Sequence, residues 1–192
     1  SKMSELVFFV SPGRVKRDTA LQSTVDESVI RPFIQIAQDR HIWPALGTKL
    51  YEHLKTEIKA DRLSGNYETL VNTYIMPALS QFVFTELAYV VRLRFSNNSI
   101  TIANSEVGSS ASIADVRLVK EQAESIAMFY RERMINYLCD NTELFPEYTQ
   151  NTGSDLSPST RNYFQGLNVY PRSPKSNQAI AYLQAIGVKT NN

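Results

Sequence analysis

Apolar residues recur every three or four positions along most of residues 25–140, and this period predicts an all-α domain with helices over about 25–41, 48–61, 67–95 and 113–140. The run Val29–Leu54 organises the first two. Its apolar positions include Ile30, Phe33, Ile34, Ile42, Trp43, Leu46, Leu50 and Leu54, and it is punctuated by Pro32, Pro44 and Gly47. Pro32 lacks an N–H and crowds the carbonyl four residues back, so it is expected near a helix start or at a kink. Trp43-Pro44 reads as a break followed by a Pro-started turn, and Gly47 as its end. Thr48 is then the expected N-cap of a helix through Leu50, Leu54 and Ile58.

Local signals fix the remaining boundaries. Thr24 and Glu27 match a capping box that would start the first helix. Ser64-Gly65-Asn66 closes the second helix, with Asn66 as N-cap of the third. Apolar residues cover more than one stripe of the third helix, as expected of a central helix, and Pro77 should kink or divide it. Glu86 sits in its apolar half and either faces out or takes Arg92 or Arg94 as partner. In the fourth, Val116, Val119, Ala123, Ile126, Ala127, Tyr130, Met134 and Leu138 mark the expected inner face, and Glu121, Glu124, Arg131 and Arg133 the outer one. Cys139, late in this helix, reads as a small buried hydrophobe.

Three stretches fall outside this pattern. Residues 1–23 read as an N-terminal arm whose Glu5–Val10 is aromatic and β-branched enough to be extended. Its backbone groups need a partner, in its own helices or in a neighbouring subunit. Residues 96–112 are a Ser/Asn-rich loop containing Ile100 and Ile102. Residues 149–192 read as a polar C-terminal arm ending in a short helix, QAIAYLQAI. Phe8, Phe9, Ile100, Ile102, Tyr163, Phe164, Tyr170 and Tyr182 are the candidate partner contacts, because apolar anchors in polar segments suit a partner surface.

Composition narrows function mainly by exclusion. The formal net charge is +1, with 12 basic and 10 acidic residues in 1–96 and 8 basic and 9 acidic in 97–192, so neither half has the basic excess of a DNA-gripping protein. The single cysteine rules out an intramolecular disulfide and fits a reducing cytoplasm. No signal-peptide pattern opens the sequence, and no apolar stretch reaches the roughly 18 residues of a membrane span. Phosphate-binding loops, cysteine or histidine pairs at metal spacing and nucleophile elbows are absent from the sequence. His41 and His53 read as packing or surface residues. No catalytic, cofactor-binding or metal-binding residue is expected.

The pattern I-x-P-F-I-x-x-A-Q-D-x-H-I-x-P-x-L-G-T-x-L-Y, held by Ile30–Tyr51, resembles the opening of tailed-phage head–tail connector proteins, most closely the neck ring proteins of crAss-like phages of Bacteroidetes. Tyr67–Pro77 and Ala127–Tyr148 resemble later segments of the same family, in the same order, so the likeness covers roughly residues 25–148. The resemblance implies a virion protein assembled in the host bacterial cytoplasm. It implies a ring of twelve subunits in the phage neck that contacts the portal and the next neck or tail protein. Double-stranded DNA would pass through the ring without being read. Pro32, Trp43, Pro44, Leu46, Gly47, Leu50 and Tyr51 match the motif and are expected to fix a helix corner. Two other readings stand beside it: a small helical adaptor that binds one protein partner without forming a ring, and an enzyme with a dispersed active site.

Overall fold

A computed structural model describes residues 6–96, 113–151 and 153–159. The chain divides into two compact units, Ser1–Thr160 and Arg161–Asn192, and every element described here belongs to the first. The described residues are helical and contain no strand. In chain order the helices are α1 (Pro12–Asp18), α2 (Glu27–Ala37), α3 (Trp43–Leu46), α4 (Thr48–Lys59), α5 (Gly65–Thr69), α6 (Met76–Ser96), α7 (Ile113–Asp140) and α8 (Pro146–Thr149).

The expected break at Trp43-Pro44 is not there. A π-helical stretch, Gln38–Ile42, joins α2 to α3, and a second, Leu70–Ile75, joins α5 to α6. Each stretch ends just ahead of a proline, Pro44 or Pro77. A proline offers no N–H to the carbonyl four residues back and its ring crowds that carbonyl. Widening the coil to i→i−5 bonding, as in the Trp43 N–H donating to the Gln38 carbonyl, carries the helix past the obstruction instead of ending it. The Thr73 carbonyl, four residues before Pro77, accepts a hydrogen bond from Arg133 Nη1 of α7 at 3.1 Å. The first helical run therefore continues to Leu46, where Gly47 stops it at φ 78°.

Helix starts also differ from expectation. Asp26, not Thr24, caps α2, its Oδ1 accepting the Ser28 N–H at 2.7 Å. Asp fits because its short carboxylate reaches the free N–H groups of the first turn. Ser64 stands at the N-cap position of α5 in place of Asn66, and Gly47 at that of α4 in place of Thr48. The Thr48 hydroxyl has other partners, described below.

α6 is the central helix, packed against α1, α2 and α7. Its buried residues Leu79, Phe82, Val83 and Leu87 meet Ile30 and Ile34 of α2 and Ala127, Met134 and Leu138 of α7 in one apolar core. Phe9 and Val10 belong to the same core, so the N-terminal segment packs on its own helices. On α7 two apolar expectations fail: Val119 and Ile126 are exposed, and Arg131 is buried instead. The helix carries more apolar residues than its buried face holds, and Arg131 turns inward with its Nε 3.4 Å from the His41 carbonyl. Cys139 is exposed, not buried, with Sγ 3.5 Å from the Tyr148 hydroxyl. The unit extends to Thr160, beyond the boundary at 148 read from composition, because Asn151, Leu156 and Ser159 bond to residues 44–49.

Candidate functional site

The motif residues converge on one corner, where the run ending at Leu46 turns through Gly47 into α4. Leu46 and Leu50 are fully buried and hold the corner to the core. Trp43 and Tyr51 stack across it, ring centroids 5.4 Å apart and 9° from parallel. Phe9 tilts against Tyr51 as well, ring centroids 5.3 Å apart, and Lys55 Nζ lies 5.2 Å from the Tyr51 ring centre.

Polar groups tie both flanking segments to this corner. Gln38 is completely buried, yet its amide works like a strand edge: Oε1 accepts the Phe9 N–H and Nε2 donates to the Val7 carbonyl, both at 2.9 Å. Residues 6–8 have no regular structure and Phe9–Val10 form a bend instead of the extended segment expected, and this pairing supplies partners for their backbone groups. The same Nε2 donates to the Tyr51 oxygen at 3.1 Å, and the Tyr51 hydroxyl donates to Asp39 Oδ1 at 2.7 Å. Burial, then the bond to Asp39, pushes the Tyr51 phenol well above its ordinary pKa, so it stays a protonated donor.

On the opposite flank the Thr48 hydroxyl accepts from Trp43 Nε1 at 2.9 Å and from the Leu156 N–H at 2.8 Å, and the Thr48 N–H donates to the Leu156 carbonyl at 2.9 Å. Asn151 adds two bonds, accepting the Lys49 N–H and donating to the Leu156 carbonyl. The Ser159 N–H reaches the Pro44 carbonyl at 2.8 Å. Pro158 lies on Gly47. One corner therefore anchors the segments that lead to residues 1–5 and to residues 160–192.

Of the residues expected here, the structure brings together Trp43, Pro44, Leu46, Gly47, Leu50 and Tyr51. Pro32 is exposed inside α2 and takes no part in these bonds. Among the candidate partner contacts, Phe9 is buried in its own chain and Phe8 is half-buried against the core. Ile100, Ile102, Tyr163, Phe164, Tyr170 and Tyr182 lie outside the described residues, as do loop 97–112 and the terminal QAIAYLQAI segment. Sequence reasoning missed Gln38, Thr48 as a hub, and Asn151. Their partners lie across long sequence separations, and only the buried Gln in an apolar run offered a signal.

Two polar clusters elsewhere contain the histidines. His41 stacks on Phe82 at 3.9 Å, and its Nε2 lies 2.9 Å from Glu86 Oε1. Glu86 also accepts two bonds from Arg40 Nη1, so Arg40 and His41 are partners that the sequence reading did not foresee; the side chains of Arg92 and Arg94 lie outside the described residues. Burial is the larger influence on His41 and holds its pKa below the ordinary value despite Glu86. In the second cluster the Tyr67 hydroxyl donates to Glu147 Oε2 at 2.7 Å, and His53 Nδ1 lies 3.7 Å from Glu147 Oε1. Burial and the Glu147 bond push Tyr67 up to about 12, which keeps it a protonated donor that ties α5 to α8. Among the described residues no group of three or more His, Cys, Asp or Glu side chains is placed to hold a metal ion. No described helix is long and apolar enough to cross a membrane.

Comparison with known proteins places the corner inside a recognised family. No curated protein and no solved structure matches the chain. Residues 42–157, which run from the end of the first π stretch through Leu156, match the family described as "Family of unknown function (DUF6712)", and the chain belongs to that family.

Proposed function

We propose that the chain is a structural subunit of the neck of a tailed phage. Twelve copies form a ring between portal and tail that seals and continues the DNA channel. The observation that carries this reading is the corner. The motif shared with neck ring proteins, Ile30–Tyr51, supplies the residues that fasten the segments leading into both ends of the chain onto one helical domain. A helical domain with two of its peripheral segments fastened at one place suits a part whose work is to join neighbours.

The mechanism is geometric, and no residue is assigned a chemical step. Each subunit offers unlike surfaces to its two neighbours, a heterologous contact that closes into a ring. Each phosphate contact along the channel would hold DNA back, and a net charge of +1 over 192 residues agrees with a ring that does not grip it.

The test is reconstitution with the portal of the phage that encodes the chain. The full chain and purified portal, mixed and passed over a sizing column, should co-elute, with ring density stacked on the portal in electron micrographs. A complex of one chain with one partner and no ring would instead support the adaptor reading. Separate elution contradicts the ring reading and moves the weight to the adaptor with a different partner.

A further inference from the structure

Residues 153–159 lie on the corner as a strap, and the bonds that hold them there are polar. The Leu156 N–H and carbonyl pair with the Thr48 hydroxyl and N–H, and Asn151 Nδ2 donates to the same carbonyl at 2.7 Å. The Ser159 N–H donates to the Pro44 carbonyl at 2.8 Å. Leu156 is the strap's only large apolar side chain; it is half-buried and is not among the residues of the apolar core. Pro158 covers Gly47, which has no side chain to expose. Pro44 and Thr48 are half-buried with the strap in place, so water reaches their freed groups once it lifts. The point of attachment is of another kind. Asn151, just ahead of the strap, is buried and has its own hold on the domain, its Oδ1 accepting the Lys49 N–H at 2.9 Å. Gly153 is exposed and stands at φ 75° in a turn closed by the Ser154 N–H donating to the Asn151 carbonyl at 3.3 Å. A Cβ on Gly153 would meet nothing within 4 Å.

We propose that residues 153–159 lift off the corner as one unit while the helical domain stays folded, turning about Gly153 with Asn151 left in place. A segment held by surface hydrogen bonds and little apolar contact opens at a lower free energy than the core it lies on. The three bonds to Thr48 and Pro44 break together, because they sit on one short stretch on either side of Pro158. Gly153 is the residue that can leave φ 75° for ordinary backbone angles at little cost, and the open space around it leaves that rotation unhindered. Asn151 keeps Lys49 and so marks where the opening stops. Fully extended, the seven freed residues span up to about 25 Å. Lifting the strap therefore adds that much slack to the tether that leads on to the unit beginning at Arg161. The device is a latch that sets the reach of the following chain, and it stands apart from the ring reading.

The test is amide hydrogen exchange of the full chain, read residue by residue by nuclear magnetic resonance at rising low concentrations of urea. The Thr48, Leu156 and Ser159 N–H groups are bonded between strap and corner, so all three should show one common protection. It should be at least tenfold below that of the Lys49 N–H next in the chain, whose partner Asn151 stays. Urea should hardly change it, since the opening exposes little surface, whereas the amides of Leu79, Phe82 and Val83 in α6 should respond steeply. Gly153→Ala places a side chain where a left-handed backbone disfavours one, so it weakens the closed state. It should speed exchange of the three groups about fivefold or more, with Lys49, α6 and the circular dichroism unchanged. Exchange of the three groups together with α6 overturns the proposal, because the strap would then open only with the whole domain. Unequal protection among the three, no protection in any of them, or indifference to Gly153→Ala overturns it as well.

Discussion

Gly47 and Pro158 meet where no side chain fits. A Cβ on Gly47 would lie 2.7 Å from both Cγ and Cδ of the proline ring and 3.0 Å from its nitrogen. Gly47 also has φ 78° and ψ 159°, a combination open essentially to glycine alone. Gly47→Ala should cost about 1–3 kcal/mol from backbone strain before any clash is counted. The midpoint of thermal unfolding should fall by roughly 2–4 °C per kcal/mol. Pro158→Gly in the same chain should recover only part of the loss, since it removes the clash and leaves the strain. Full recovery would mean that the backbone relaxes freely.

Thr48 joins the Trp43 indole to the chain segment that carries Leu156. Thr48→Val keeps the shape but removes the acceptor for two N–H donors. Leaving such donors unpaired should cost about 1–3 kcal/mol, and protease should cut within residues 153–159 sooner. Thr48→Ser retains the hydroxyl and should behave nearly as the parent. Equal stability of the Val and Ser forms would show that these bonds carry little weight.

Ser80 is completely buried on α6, and its Oγ has no hydrogen-bond partner. Removing a buried hydroxyl that bonds to nothing relieves its desolvation. Ser80→Ala should therefore be neutral or stabilising by up to about 1 kcal/mol. A loss of more than that in chemical denaturation would reveal a bond that the static geometry does not show.

His41 makes stability depend on pH. Its pKa is lowered in the folded chain, mainly by burial, so the unfolded chain binds the proton more readily. Stability should be full above the unfolded value of about 6.5 and fall as pH drops from there through the lower folded value. His41→Phe keeps a ring on Phe82 and removes the titrating group, so melting curves between pH 7 and 5 should flatten for that variant. An unchanged slope would assign the acid sensitivity to other groups.

The helix period was legible where one face of a helix meets the core, and α4 and α7 lie close to their expected spans. It misled at Pro44, where a break was expected; the helix expected over 67–95 does run through Pro77. Proline reads locally as an interruption, but the π stretches before Pro44 and Pro77 absorb it with a wider coil, a response set by packing and by Arg133 reaching Thr73. α7 carries an inner and an outer apolar stripe, and spacing alone does not tell which one the core takes; Val119 and Ile126 fell on the wrong side for that reason. The corner was half legible. Gly47 as a helix stop follows from its residue type, whereas the hold of Asn151 and Leu156 on Lys49 and Thr48 spans about a hundred residues and leaves no local trace.

The central claim is a ring, and native mass spectrometry of the full chain, alone and with portal, tests it most directly. Twelve chains of 21.8 kDa predict a species of about 260 kDa, alone or seated on the portal. A chain that stays at 21.8 kDa in both experiments contradicts the account.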